Sequence, residues 1–410
     1  MDQQKDRLIS DSMLMIFASL MVIFLNFLFH VFMIKMLGPE GYSILYVVLT
    51  IYFIFTFPFN TLQIMVSNYV AKYIANSRPN SVISFFGIML KISSIAGIFA
   101  IIISFVFIGM GNVFLHLQGP FILPCIGFMV MFSLIISLAR GFMVGQQRYW
   151  LLGANMMSDA FFRLILGISL ILIGYKVYGA LVGILLSLFL VALLSLIPYF
   201  GMLAKGLEEN IDVADISRYL VQIFIAITIF ALLAHADIIL VRHFFLPFET
   251  GNYSLASLVG RLLLSIAAAI SISLFPKVVS LKAKGSSAKS LAVRSLVFCA
   301  TILAIIFIVV LAFSGPVIKL IFGYNYLLAA NLTPYLCMVM IPFSLTYILI
   351  TYDLARNKFD FLYVLTSWMI LHYMVLYIFH SSISSILIAT GSSGFTGLFL
   401  YLMRFARSDD

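Results

Sequence analysis

Charged residues are scarce in this chain of 410 residues. Asp, Glu, Lys and Arg together make up 10% of it, whereas soluble domains carry about 25%. Apolar residues make up 63%, and the mean hydropathy is +1.16. A soluble fold cannot bury that much apolar surface, so the composition excludes a soluble enzyme, a nucleic-acid-binding protein and a disordered chain. The continuous apolar runs also argue against an outer-membrane barrel, whose segments of about ten residues alternate in polarity.

Cysteine is also scarce. Cys125, Cys299 and Cys337 lie inside apolar runs without metal-ligand spacing, so we expect them to pack as small apolar residues rather than form a disulfide framework. The sequence lacks the motifs of serine hydrolases, zinc enzymes, P-loops and dinucleotide-binding folds. We therefore expect no catalytic residue, no metal and no cofactor, and we do not expect an enzyme.

Twelve apolar runs are long enough to cross a bilayer, which takes about 20 residues. The first run is too long for a secretory signal and lacks a cleavage-site pattern, so we expect it to be retained. The connections are short, which leaves no room for a separate folded domain. The predicted spans are residues 13–36, 43–70, 83–108, 120–139, 151–174, 178–201, 219–242, 252–276, 292–313, 326–351, 361–379 and 382–403.

Lysine and arginine fall mostly on one side of these spans. If the N-terminus is cytoplasmic, 18 of the 24 Lys and Arg residues lie in the inner connections and four lie in the outer ones. Cytoplasmic loops of membrane proteins carry such an excess, which also explains the net charge of +9 without nucleic acid. The distribution predicts a multi-pass protein of the cytoplasmic membrane with both termini inside.

A turn motif occurs twice, about half the chain apart. Residues 37–43 read LGPEGYS after the first span, and residues 246–254 read LPFETGNYS after the seventh. Six spans in each half would make parallel repeats, and two such lobes would enclose a central seam suited to alternating access. The alternative is a chance match of turn-forming residues. The predicted domains are a first lobe at 1–205, a cytoplasmic linker at 206–218 and a second lobe at 219–410.

Four stretches together resemble a known group of transporters. The pattern is similar to the polysaccharide-exporter branch of the multidrug/oligosaccharidyl-lipid/polysaccharide (MOP) exporter superfamily, which includes Wzx-type flippases for lipid-linked oligosaccharides. The resemblance implies an all-α, MATE-like membrane protein with twelve transmembrane helices in two six-helix lobes. The last two spans match in hydropathy only. The four stretches are the turn at 37–42, the loop RGFMVGQQRY at 140–149, Arg163 with the glycines at 174, 179 and 183, and residues 237–277.

Charged residues inside predicted spans are costly, at about 3 kcal/mol each on insertion scales, so they mark candidate functional positions. Arg163 follows Asp159 by four residues, which places both on one helical face. This pair could neutralise itself, or an anionic ligand could release the arginine. Arg261 has no carboxylate within a turn of its own helix, so we expect it to face the seam and bind a pyrophosphate through its two-pronged guanidinium. The alternative is a pair with Asp237 across two helices.

Other polar residues in the spans are weaker candidates. Asp237 and His235, toward the outer end of span seven, could couple transport to H⁺ or Na⁺, although we favour a structural role for Asp237. Asn26, Gln63 and Asn155 could bind sugar hydroxyls, or they could hold helices together as polar residues in membranes often do.

An inner-loop cluster follows span four. Arg140, Gln146 and Arg148 could contact a headgroup at the cytoplasmic entrance, although the excess of positive charge in inner loops already explains them.

The leading functional interpretation is a flippase for a lipid-linked oligosaccharide or polysaccharide precursor. Its partners would be a sugar on a polyprenyl-pyrophosphate type of carrier, membrane lipid and a coupling H⁺ or Na⁺, with no nucleic acid, and the protein would act as a monomer. One alternative is a cation-coupled drug antiporter of the same superfamily, which would need an acidic or aromatic cavity. An alternative from another class is a membrane polysaccharide polymerase or lipid-sugar transferase, which usually has a large outer loop or paired carboxylates.

Overall fold

A computed structural model describes residues 2–117, 119–203 and 214–407. Every regular element within these ranges is helical, which confirms the predicted all-α class. Of the predicted cytoplasmic linker, residues 206–213 lie outside the described residues. The helices are α1 (Asp2–Thr56), α2 (Phe59–Ala75), α3 (Pro79–Val106), α4 (Ile108–Leu115), α5 (Ile122–Gly145), α6 (Tyr149–Leu170), α7 (Lys176–Leu196), α8 (Phe200–Leu203), α9 (Ala214–Phe244), α10 (Pro247–Ala283), α11 (Lys289–Phe322), α12 (Leu327–Ala355), α13 (Phe361–Ile378) and α14 (Ile383–Arg407).

Ten helical stretches among the described residues are long and apolar enough to cross a membrane. Two of them, Ser10–Ala75 with 66 residues and Tyr149–Tyr199 with 51 residues, are each long enough for two crossings. Both contain a break at a glycine with positive φ, Gly38 at 66° and Gly174 at 109°, a conformation that glycine adopts without steric cost. Each long stretch therefore contains two of the twelve predicted spans.

The chain forms two compact units. Unit 1 comprises Met1–Leu37 and Val48–Phe224, and unit 2 comprises Gly38–Val47 and Ile225–Asp410. The boundary in α1 coincides with the break at Gly38, so the ten residues that begin at this glycine pack within unit 2. The lobe limits drawn from the sequence stay a prediction.

Contacts with α9 and α10 hold this short segment of α1 in unit 2. Arg242, which is buried, donates from Nη1 to Ser43 Oγ over 3.0 Å. Pro39 lies so close to Gly251 that a Cβ at Gly251 would stand 2.0 Å from the Pro39 carbonyl oxygen. The two copies of the repeated turn motif are thus in direct contact, and glycine is the residue that permits it.

The core of unit 1 forms where α5 packs against α2 and α3. Gly141 and Gly145, one turn apart on α5, let the α2 backbone approach, because a Cβ at either position would lie 2.8 Å from an α2 carbonyl oxygen. Small residues at this spacing are a common device for close helix packing in membranes. On the α3 side, the rings of Phe86 and Phe142 meet edge to face at 4.8 Å. The glycines of the 140–149 motif therefore have a packing role.

In unit 2, α10 packs along α12, and α13 packs against α14. Gly260 sits against the backbone of Leu336, where a Cβ would stand 3.1 Å from the carbonyl. Gly397 of α14 faces Trp368 of α13, where a Cβ would lie 2.0 Å from the indole. Tyr253 and Phe343 are fully buried in this core.

Candidate functional site

Asp159 on α6 accepts hydrogen bonds from two arginines. Arg163, one turn later on α6, donates from Nη2 to Oδ1 over 3.0 Å. Arg140 on α5 donates from Nη2 to Oδ2 over 3.2 Å. We call Arg140, Asp159 and Arg163 the Asp159 cluster. It holds two positive charges for one negative charge, so it is cationic even when the carboxylate is ionised.

Two amides position the arginines of the Asp159 cluster. Asn155 Oδ1 accepts from Arg140 Nε over 2.7 Å, while its Nδ2 donates to Ser195 Oγ over 2.6 Å. Asn26 Oδ1 accepts from Arg163 Nη1 over 3.4 Å. Asn155 lies on α6 and Asn26 lies on α1. The two guanidinium groups are therefore held by contacts among three helices, α1, α5 and α6.

A small cavity of about 50 Å³ opens onto the Asp159 cluster. The side chains of Arg140, Asp159 and Arg163 are 19%, 14% and 21% exposed. Arg163 Nε is buried and has no hydrogen-bond partner within the described ranges. The cluster therefore lies beside a cavity that has room for a water molecule. The lining residues are Val22, Asn26, Arg140, Met156, Asp159, Ala160 and Arg163.

Asp237 on α9 forms a second ion pair, in unit 2. Arg261 on α10 donates from Nη2 to Asp237 Oδ1 over 2.5 Å and to Ala234 O over 3.1 Å. Tyr253 donates its hydroxyl to Asp237 Oδ2 over 2.8 Å. The side chains of Arg261 and Asp237 are 10% and 1% exposed, so this pair is closed and neutral.

The second pair bears on the role predicted for Arg261. The sequence argument started from an arginine without a carboxylate partner, and the structure supplies one on the neighbouring helix. That argument does not hold, and a contact between Arg261 and substrate stays a prediction. His235, on the same helix as Asp237, is buried and its Nδ1 lies 2.9 Å from Ala231 O of its own helix.

The remaining predicted residues lie apart from these two pairs. Gln63 is half-buried on α2 and does not line the cavity beside Asp159. Gln146 and Arg148 lie in the turn between α5 and α6, where Arg148 is exposed. Arg140 is separated from them because its guanidinium contacts Asp159. No group of three or more His, Cys, Asp or Glu residues that could hold a metal occurs in the described part of the chain.

Sequence reasoning missed that Arg140 belongs with Asp159. The predicted span four ended at residue 139, whereas α5 continues to Gly145, so Arg140 is a residue of the helix and not of the loop. The signal was present, because the residues after Arg140 are apolar or glycine and give no reason for the helix to end there.

Comparisons with known proteins identify the fold. No protein-family model matches the chain, and no curated protein matches it. A multidrug resistance MATE family transporter of the MOP superfamily, in an inward-facing conformation, is 13% identical with a TM-score of 0.68, covering 93% of this chain and 94% of that one.

Two further solved structures match over nearly the full length. The lipid II flippase MurJ, in an inward closed conformation, is 13% identical with a TM-score of 0.69, covering 98% of this chain and 88% of that one. The MATE multidrug transporter DinF-BH is 14% identical with a TM-score of 0.67, covering 98% of this chain and 95% of that one. Identities this low establish the fold alone. The chain therefore has the all-helical fold of these solved MATE and MurJ structures, as the sequence resemblance predicted.

Proposed function

We propose that this protein is a flippase that moves a lipid-linked oligosaccharide or polysaccharide precursor across the cytoplasmic membrane by alternating access. The observation that carries the proposal is the cationic Asp159 cluster, in which two guanidinium groups share one carboxylate beside a cavity. The fold supports a transporter, since the similar structures are MATE transporters and a lipid II flippase. The fold does not specify the substrate, so we infer the substrate from the chemistry of the site.

The chemistry of the Asp159 cluster suits a pyrophosphate. Guanidinium groups bind phosphate oxygens in pairs, with planar geometry and a permanent charge. Without ligand, Asp159 compensates Arg140 and Arg163 and lowers the cost of holding them in a membrane. A pyrophosphate carries more negative charge than one carboxylate, so it can compete for both arginines. The lipid tail would stay in the bilayer while the headgroup is held, with a polyprenyl carrier as the expected class.

The coupling ion is a separate part of the proposal. Asp237 and His235 stay our candidates for H⁺ or Na⁺ coupling. However, both side chains are engaged in hydrogen bonds in unit 2. A structural role for Asp237 agrees better with its contacts to Arg261 and Tyr253. The protein would act as a monomer and without a nucleotide.

A drug antiporter is the second candidate, because two of the similar structures are named as multidrug transporters. Such a protein would bind a cationic substrate at a carboxylate. In this chain, Asp159 would first have to release two arginines, and Asp237 would have to release Arg261. Both steps would leave arginine uncompensated in a membrane, which disfavours this function.

Transport in reconstituted liposomes tests the proposal. The purified protein should translocate a labelled sugar on a polyprenyl-pyrophosphate carrier and should not accumulate a cationic dye. The double variant Arg140→Ala/Arg163→Ala should lose transport, while Arg78→Ala, which removes an exposed arginine of unit 1 outside the cluster, should keep it. Dye transport that persists in the double variant would instead establish the antiporter.

A further inference from the structure

A groove of about 550 Å³ runs between α13 and α14 in unit 2. Trp368 forms its floor, because it lines the groove and is only 4% exposed. The indole is held from behind by Phe343, whose ring stacks at 5.5 Å. Leu371 and Leu400 line the walls, and Leu371 is 54% exposed. The groove therefore has a packed floor and is accessible from outside the protein.

Three of the hydroxyl groups that line the groove form hydrogen bonds within the protein. Ser392 Oγ donates to Ala389 O over 3.1 Å, and Thr396 Oγ1 donates to Ser392 O over 2.8 Å. Ser393 Oγ accepts from Trp368 Nε1 over 3.1 Å. These bonds leave the walls largely apolar, which suits a hydrocarbon chain and not a sugar. Both α13 and α14 are long and apolar enough to cross a membrane, so lipid hydrocarbon chains would surround them.

One end of the groove is basic. Arg404 follows Leu400 by one turn of α14, about 6 Å along the axis. Its guanidinium carbon lies 5.8 Å from the Phe361 ring centroid and 5.9 Å from that of Tyr401. Arg404 thus stands where α13 begins and α14 ends. Arg407, one turn further on, is exposed.

Further cations gather at this end because lysines contact the ends of neighbouring helices. Lys282 donates to Arg356 O, and Lys289 donates to Ala406 O over 3.0 Å. The described acidic residues at this end are Asp353, which pairs with Arg404, and Asp360. The cations, which outnumber them, are Lys282, Lys289, Arg356, Lys358, Arg404 and Arg407.

We propose that the groove binds an anionic phospholipid, with an acyl chain over Trp368 and the phosphate at Arg404 and Arg407. The distribution of lysine and arginine along the sequence predicts that this end faces the cytoplasmic leaflet, where anionic lipids are found and basic pockets between helices bind their headgroups. We take the ligand to be a lipid of the bilayer, because the largely apolar walls suit an acyl chain and not an oligosaccharide, and the polyprenyl tail of a transported substrate is the competing occupant. The inference does not rest on the proposed function.

Tryptophan fluorescence gives a direct test, because the chain has two tryptophans, Trp150 and Trp368. In a Trp150→Phe background, Trp368 is the sole tryptophan and can be excited selectively over tyrosine. The full-length protein is placed in phosphatidylcholine vesicles that contain phosphatidylglycerol or phosphatidylcholine with brominated acyl chains, which quench tryptophan on contact. Brominated phosphatidylglycerol should quench Trp368 at a lower mole fraction than brominated phosphatidylcholine.

Variants at the basic end separate headgroup binding from general lipid contact. Arg407→Gln should weaken the preference for phosphatidylglycerol about fivefold, which corresponds to about 1 kcal/mol for one cation near an anionic surface. The double variant Arg404→Gln/Asp353→Asn should do the same, and it avoids leaving the buried carboxylate unpaired. Arg78→Gln, which removes an exposed cation from unit 1, should leave the preference unchanged.

Three results would overturn the proposal. Equal quenching by the two brominated lipids would exclude headgroup selection. Unchanged quenching in Thr396→Phe, which fills the groove, would show that the chain does not enter it. Displacement of brominated phosphatidylglycerol by a polyprenyl phosphate at a lower mole fraction than by unlabelled phosphatidylglycerol would reassign the groove to a substrate tail. Because no transport is measured, these outcomes are independent of the proposed function.

Discussion

Each unit places an aspartate beside arginine, but the surroundings of Asp159 and Asp237 differ. Asp159 in unit 1 is shared by Arg140 and Arg163, and all three side chains are partly exposed around a cavity. Asp237 in unit 2 has one arginine, Arg261, and the pair is almost fully buried. The first arrangement is cationic and accessible, whereas the second is neutral and closed.

We infer from this difference that the Asp159 cluster is the better candidate for a ligand site and that the Asp237 pair is the better candidate for a structural contact. An accessible cluster with an excess cation can exchange its carboxylate for an anionic ligand at small cost. A closed pair cannot, since breaking a buried ion pair strands a charge at a cost of about 3–5 kcal/mol. Unit 1 is therefore suited to binding, and the Asp237–Arg261 pair is suited to holding α9 against α10.

The largest effect on stability is expected for Asp237→Asn. This change leaves the Arg261 guanidinium buried without a carboxylate and should destabilise the fold by about 3–5 kcal/mol. Thermal unfolding in detergent should show a lower melting temperature. Size-exclusion chromatography of the heated samples should show loss of monodisperse protein. Asp237→Asn/Arg261→Met, which removes both charges, should recover much of the loss. A single variant that melts like the parent would contradict a structural role for the pair.

A smaller loss is expected for Tyr253→Phe. Its hydroxyl donates to the buried carboxylate of Asp237, and hydrogen bonds to charged groups contribute about 1.5–3 kcal/mol. Tyr52→Phe is the matched control in unit 1, because the Tyr52 hydroxyl lies 2.6 Å from the neutral Ser133 Oγ. That change should cost about 1 kcal/mol. If the same melting assay ranks the two variants in reverse order, the closed pair is not the stronger contact.

The smallest effect on stability is expected for Asp159→Asn. The side chains of the cluster are partly exposed beside a cavity, so water can replace part of the lost compensation, and the loss of stability should be smaller than that of Tyr253→Phe. The amide oxygen can still accept from one arginine, and the net charge of the site rises. Affinity for inorganic pyrophosphate, measured by calorimetry, should therefore increase. A loss of affinity would indicate that the carboxylate contacts the ligand itself.

Much of the fold could be predicted from the sequence because bilayer-length apolar runs specify helices locally. The pairing of Asp159 with Arg163 could also be predicted, since residues four apart share a helical face. Contacts between helices could not be derived in this way. The sequence left the Asp237–Arg261 pair as one of two alternatives, and it missed the contact of Arg140 with Asp159 because that contact depends on how α5 packs against α6.

The repeated turn shows the same limit. The sequence identified the motif at 37–43 and its copy at 246–254 from their matching residues. It could not show that Pro39 lies against Gly251, or that Gly38–Val47 packs within unit 2. Those features depend on the positive φ of Gly38 and on the missing Cβ of Gly251, and each requires the backbone path to be known.

The central claim is that the Asp159 cluster, and not the Asp237 pair, binds the anionic headgroup. Titration of the purified protein with a short-chain isoprenyl pyrophosphate tests it most directly. Arg163→Lys keeps the charge but loses the paired donors, so affinity should fall about tenfold or more, the loss of one charge-assisted hydrogen bond. The folded fraction of Arg261→Lys should bind the pyrophosphate with the affinity of the parent protein. Unchanged binding by Arg163→Lys together with lost binding by folded Arg261→Lys would contradict the account.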